Sequence, residues 1–147
     1  MDRWKSRIFE PIRIYLGFGL FAKGVYFAGH LGVVMSMLDQ GGIDVPKVML
    51  AHLVALAHLC GGLLLAAGLL TRLAAAVQVP ILLGAVFMVH LRDGLFGASP
   101  NLEFAALVLF LLLLTVVYGG GPWSADYFLD RREQRLLSAS HGISGTA

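Results

Sequence analysis

The amino-acid sequence predicts an all-α polytopic membrane four-helix bundle, with both termini cytoplasmic and a short C-terminal interfacial helix. Three observations carry that prediction. Of the 147 residues, 58% are apolar and 14% charged, and the mean hydropathy is +0.79, too hydrophobic for a soluble domain of this size. The stretches Pro11–Met35, Lys47–Leu70, Arg72–Leu91 and Leu102–Tyr118 approach the roughly 20 mainly apolar residues that cross a hydrocarbon core of about 30 Å. Lys and Arg are distributed unevenly: Arg3, Lys5, Arg7, Arg13, Arg72, Arg131, Arg132 and Arg135 share one face, against Lys47 and Arg92 on the other. The positive-inside rule places the richer face, and both termini, in the cytoplasm. The expected setting is the inner (cytoplasmic) membrane, with the lipid bilayer as first partner. The net charge of +2 is a topology signal and gives no indication of nucleic-acid binding.

The chain divides into an interfacial segment at Met1–Glu10, a four-span domain at Pro11–Tyr118 and a C-terminal part at Gly119–Ala147. In the first part Trp4, Ile8 and Phe9 stand among basic residues, as in a segment lying on a membrane surface. Pro11 fits the first turn of the first helix, where its missing N–H is no loss. The first span is longer than the apolar region of a signal peptide and contains Arg13 and Lys23, so it is expected to stay in the mature protein. Its Gly17, Gly19 and Gly24 allow close approach of a neighbouring helix.

After the Gly41–Gly42 turn, Asp44 and Pro46 fit the entry to the second span. Ala51/Ala55 and Ala57/Gly61 have small-xxx-small spacing, which predicts a central position for this helix. The connection at Thr71–Arg72 is short enough to make spans two and three antiparallel neighbours. Pro80 is expected to kink the third span, and Gln78 to hydrogen-bond across the bundle. The outer loop Arg92–Asn101 contains Gly94, Gly97 and Pro100, with Arg92 and Asp93 as a solvated rim, and Asn101 fits the cap of the fourth helix. Gly119–Gly120–Gly121–Pro122 ends that helix. Trp123 and Tyr127 fit an aromatic belt, Ser124–Leu137 an interfacial helix, and His141–Ala147 a flexible tail. Cys60 is the single cysteine, which excludes an internal disulfide or a Cys-x-x-Cys redox pair.

Several motifs in order carry a family signal: Lys23–Gly24, Gly61–Gly62, Gly68-Leu-Leu-Thr-Arg-Leu73, His90 before Gly94–Phe96, Glu103 within Leu102–Phe104, and Gly121-Pro-Trp-Ser-Ala-Asp126. Together, from about Arg13 to Leu129, they resemble the DoxX family of small four-helix membrane proteins. That resemblance implies likeness to subunits of thiosulfate:quinone oxidoreductase, or to accessory membrane components of redox or stress-response complexes. Where many members of that family carry an acidic residue before the paired glycines, this chain has His58.

Ionisable residues within the apolar stretches point to function, because a charge near mid-bilayer costs about 2.5–3.5 kcal/mol on insertion scales. Lys23 and His58 each lie roughly 16–18 Å into their spans by helical rise, so they are expected to meet near the midplane. His52 lies nearer the outer surface, while His90 and Glu103 flank the outer loop. The expected catalytic set is Lys23, His58, His90 and Glu103, with His58, Lys23 and His52 binding a quinone. In that reading Lys23 supplies positive charge, the histidines handle protons, and Glu103 pairs with Lys23 or an imidazole. The competing reading makes Lys23–Glu103 a pair that only holds helices in register. No metal site is expected: His52 and His58 are six residues apart and point apart on one helix, and a bis-His site would need His58 with His90 or His30. Phe18, Tyr26, Phe87, Phe104 and Phe110 suit either a quinone wall or a lipid face.

Electrons would come from a protein partner, since no residue here is an evident carrier. The alternative function is a non-catalytic assembly or stabilising subunit. A transporter ranks last, because there is no inverted repeat.

Overall fold

A computed structural model describes residues 3–40, 42, 46–89, 101–119, 121, 124–129 and 131–132, and all its regular elements are helical. The chain runs through α1 (Arg3–Gly29), α2 (Leu31–Gln40), α3 (Lys47–Ala67), α4 (Thr71–Gly84), a π-helical turn (Ala85–Val89) and α5 (Asn101–Tyr118). A helical segment at residues 125–129 follows. Gly41, Asp44, the loop 90–100, Trp123 and the tail expectations lie outside the described residues.

Two boundaries differ from the sequence reading. Helix α1 begins at Arg3 and carries Pro11 in its interior, so the N-terminal segment is continuous with the first helix. The expected single span Pro11–Met35 is broken: Glu10–Gly29 and Leu31–Gln40 meet at 97°. His30 stands at the corner between Gly29 and Gly32, which lower the helix propensity there. Its backbone N–H donates to the Phe27 carbonyl at 3.1 Å, and its Nδ1–H takes the Tyr26 carbonyl at 3.0 Å, the acceptor a continuing α-helix would have given to its backbone. The imidazole stacks on Tyr26 at 4.5 Å, fixing the corner. Helix α2 is amphipathic: Val34 and Leu38 face inward onto Phe27, Ala51 and Ala55, while Ser36, Asp39 and Gln40 are exposed. An ion pair between Lys47 and Asp39 joins the end of α2 to the start of α3.

Helix α3 is central, packing against α1, α2 and α4. Its seam with α1 is built on glycine: a Cβ at Gly62 would lie 2.4 Å from the Phe21 nitrogen, and one at Gly17 would lie 2.4 Å from that of Ala66. Gly24 packs as closely on Leu59, whereas Gly19 and Gly29 face open space, so two of the four α1 glycines serve this contact. At the end of α3, Gly68 adopts φ +70°, and the Leu69 N–H closes on the Leu64 carbonyl at 2.9 Å. The turn Gly68–Leu70 then leads directly into α4. Helix α4 passes through Pro80 and opens into the π-helical turn. After α5, Gly119 and Gly121 take positive φ, as the glycine run requires.

Buried apolar side chains form two clusters. Leu16, Leu20, Leu65, Ala74, Ala75, Leu82 and Leu112 fill the half near the α3–α4 turn, and the Phe27–Val34–Leu38–Ala51–Ala55 cluster fills the α2 end. Much of the outside is also apolar: Tyr15, Phe18, Leu53, Leu63, Leu73, Leu107 and Phe110 are all exposed. Lys47–Ala67 is by itself long and apolar enough to cross a membrane, and the bent Glu10–Gln40 pair passes the same test together. Thr71–Phe87 and Leu102–Tyr118 are shorter apolar helices.

Candidate functional site

The middle of the bundle brings Lys23 and His58 to one aromatic ring. His58 is buried on α3, and its Nδ1 lies 2.9 Å from the Val54 carbonyl. A carbonyl only accepts, so Nδ1 carries the proton and Nε2 is left for other chemistry. Phe27 meets the imidazole edge-on at 5.4 Å, and the Lys23 ammonium stands 5.5 Å from the centre of the same ring. Phe27 lies one turn beyond Lys23, so the lysine stretches toward the α2 end of its helix, the direction in which a long cationic side chain escapes an apolar layer.

The other expected residues are placed apart. His52 is exposed, with Nδ1 on the Val48 carbonyl at 2.7 Å, and contributes nothing to this group. Glu103 is exposed in the first turn of α5 and makes no ion pair with Lys23; the ion pair among the described residues is Lys47–Asp39. His90 lies outside the described residues. Among those described, no three His, Cys, Asp or Glu side chains converge as metal ligands. The five aromatics considered as quinone walls, Phe18, Tyr26, Phe87, Phe104 and Phe110, are all exposed, and the ring at His58 is Phe27. Phe27 had a legible signal: it is four residues after Lys23, on the same helical face.

Gln78 lies between α3 and α4, wholly buried, donating from Nε2 to the Ala57 carbonyl at 2.7 Å. The cross-bundle bond expected of it is therefore present. A Cβ on Gly61 would strike this amide at 2.6 Å, which explains the glycine.

A second polar group, at the α3–α4 turn, escaped sequence reasoning. Asp126 accepts from the Leu70 N–H at 2.7 Å, the Thr71 N–H at 2.9 Å and the Thr71 hydroxyl at 3.0 Å, while its own N–H donates to the Gly68 carbonyl at 3.1 Å. The carboxylate thus caps α4 from 55 residues away. Burial pushes the Asp126 carboxyl up, but the Thr71 and Leu70 donors and the nearby Arg13 charge outweigh it and hold the group below the ordinary carboxylate range. Arg13 and Glu10 are both buried here, and Arg13 Nη1 occupies the space that a side chain at Gly68 would need. Arg72, expected as a topology anchor, donates from Nη2 to the Val117 carbonyl at 3.3 Å near the end of α5. Ser124 completes the group, accepting the Tyr127 N–H at the start of the C-terminal helical segment.

The Gly68–Leu73 and Gly121–Asp126 motifs are therefore partners in space. The DoxX family model matches residues 9–91, more than half the chain. The chain belongs to the DoxX family. The match takes in Arg13, Lys23, Phe27, His58 and the α3–α4 turn, while Glu103 and Asp126 of this DoxX protein lie beyond it. Comparison with curated proteins and with solved structures finds no match.

Proposed function

We propose that this DoxX protein is a multi-pass subunit of the inner membrane, acting in quinone-linked redox metabolism with its N and C termini in the cytoplasm. The four spans would be Glu10–Gly29, α3, α4 with its π-helical turn, and α5. Helix α2 would lie along the outer interface. Exposed apolar side chains on all four span helices support this arrangement, since contiguous apolar surface of that extent needs a nonaqueous environment.

The observation that carries the redox reading is the shared ring: the buried imidazole of His58 and the ammonium of the exposed Lys23 both meet Phe27. A quinone oxygen placed there would be polarised by Lys23 and protonated through His58, whose Nε2 would first take up a proton and then pass it on while Nδ1–H stays with Val54. Electrons would come from a partner subunit, which the reduction requires. The test is quinone content in protein purified gently from native membranes, with co-purifying subunits identified and His58→Leu run in parallel. Stoichiometric quinone lost in the variant supports the site. No quinone in either sample, with the same partners retained, overturns it.

A second reading, a non-catalytic assembly subunit, draws on one observation. Lys23 and Glu103 are exposed in apolar helices and do not pair with each other, so a partner helix bearing opposite charges would suit them.

A further inference from the structure

Around the α3–α4 turn, four donor groups converge on one short stretch of chain. Leu70 and Thr71 present successive backbone N–H groups at the start of α4, and the Thr71 hydroxyl joins them. The fourth is the guanidinium of Arg13, which is 3% exposed; its Nε and Nη1 are buried and have no hydrogen-bond partner among the described residues. Gly68 fixes its place. A side chain there would run into Arg13 Nη1 and would come within 2.8 Å of the Ser124 Cα, so the guanidinium and the C-terminal segment lie against the same glycine, two residues before Leu70.

Asp126 fills this donor set incompletely. Its two oxygens take the three donors of Leu70 and Thr71 and leave those of Arg13 unmet. A buried donor without an acceptor is costly, so the group suits a ligand with more oxygens than a carboxylate has. Leu70, at φ 47°, followed by a helical Thr71 makes the kind of concavity in which successive N–H groups hold an anion. Glu10 is buried one turn before Arg13, and Glu10 and Asp126 both act on the Arg13 charge. A further anion therefore has to replace one of the two carboxylates. Glu10 is fixed in the body of α1, whereas Asp126 belongs to a short segment that rests on the turn.

We propose that the α3–α4 turn is a binding site for a phosphate group, with Asp126 as an internal competitor that an entering phosphate displaces together with the C-terminal segment. A phosphate has oxygens enough for the Leu70 N–H, the Thr71 N–H and hydroxyl, and the Arg13 fork at once, and its charge is met by the guanidinium and the α4 N-terminus. Lifting the segment takes Ser124 off Gly68 and opens the guanidinium. The phosphate belongs to a soluble ester or to a lipid headgroup; Leu70 on the turn and Phe128 and Leu129 on the segment are exposed apolar neighbours.

The experiment uses the purified full chain in neutral detergent. Inorganic phosphate is titrated against chloride at equal ionic strength, and in a second arm phosphatidic acid is titrated against phosphatidylcholine in the micelles. Two quantities are read: cleavage of the C-terminal segment in the unmodified protein, and the unfolding midpoint of Asp126→Ala. Phosphate should speed the cleavage and, by replacing the missing carboxylate, restore at least half of the midpoint lost in the variant. Arg13→Gln added to Asp126→Ala should abolish that recovery; Thr71→Val takes its place if the double variant does not fold. A response to phosphatidic acid alone assigns the site to a lipid headgroup, and a response to inorganic phosphate assigns it to a soluble one. Equal recovery in chloride, recovery that survives these second substitutions, or cleavage unchanged by either form of phosphate overturns the proposal.

Discussion

Asp126 and Thr71 are joined twice, through the Thr71 N–H at 2.9 Å and its hydroxyl at 3.0 Å, so a carboxylate from the chain's C-terminal part closes the first turn of α4. Leu70, in the left-handed region at φ 47°, brings its own N–H to the other carboxylate oxygen. Thr71 is completely buried, so its hydroxyl has no water to turn to if the carboxylate leaves. The cap therefore ties the stability of the α3–α4 turn to the docking of residues 124–129.

Replacing Asp126 by Ala removes three hydrogen bonds to one helix start. Loss of an N-cap side chain costs about 0.5–2 kcal/mol, and the stranded Thr71 hydroxyl puts this case at the upper end. Thermal unfolding in detergent should show a clear drop in midpoint. Limited proteolysis should cut the C-terminal segment first, because its N–H bond to Gly68 O goes with the same contact. Unchanged protection of that segment would contradict the capping role.

The same carboxylate sets a pH dependence. Its folded-state pKa is depressed, so its contribution is complete above the unfolded value of about 4 and is lost as pH falls through the lower folded value. Acidification from pH 5 toward pH 2 should destabilise the native chain more steeply than Asp126→Asn, which cannot titrate there. Parallel unfolding curves for the two proteins across that range would exclude Asp126 as the source.

In the α1–α3 seam, backbone meets backbone, and relaxation around an added side chain has nowhere to go. Gly62→Leu would drive a side chain into the backbone of Phe21 and Gly17 and should cost about 3 kcal/mol or more, seen as loss of folded protein. Gly19→Leu projects into open space on the same helix and should express and unfold nearly as the parent does. Equal damage from both would mean that glycine acts through helix flexibility and not through close approach.

How far the sequence could be read follows from range. The helices, the central place of α3 and the Lys23–His58 approach were legible because apolar length and small-residue spacing are local signals. The break at His30 was hidden, since Leu31–Gln40 continues the apolar run across it. The Asp126 cap and the burial of Glu10 and Arg13 were invisible for a different reason. Those residues read as loop or as topology signals until the fold sets them against a turn 55 residues away.

Lys23 and Glu103 decide between chemistry and helix registration. A pair that holds helices together couples energetically, so removing both charges would be tolerated better than the single losses predict. Here the two side chains are exposed and unjoined, and each single change should act independently. In a cycle of Lys23→Met, Glu103→Gln and the double variant, the coupling energy should stay below about 0.5 kcal/mol. Lys23→Met alone should disturb the surroundings of His58, because the ammonium and the imidazole meet the same Phe27 ring. Nitrogen chemical shifts of a labelled His58 would report that directly. A coupling of 1 kcal/mol or more, on the order seen for residues in contact, with unmoved His58 resonances would return Lys23 to the role of a registration charge.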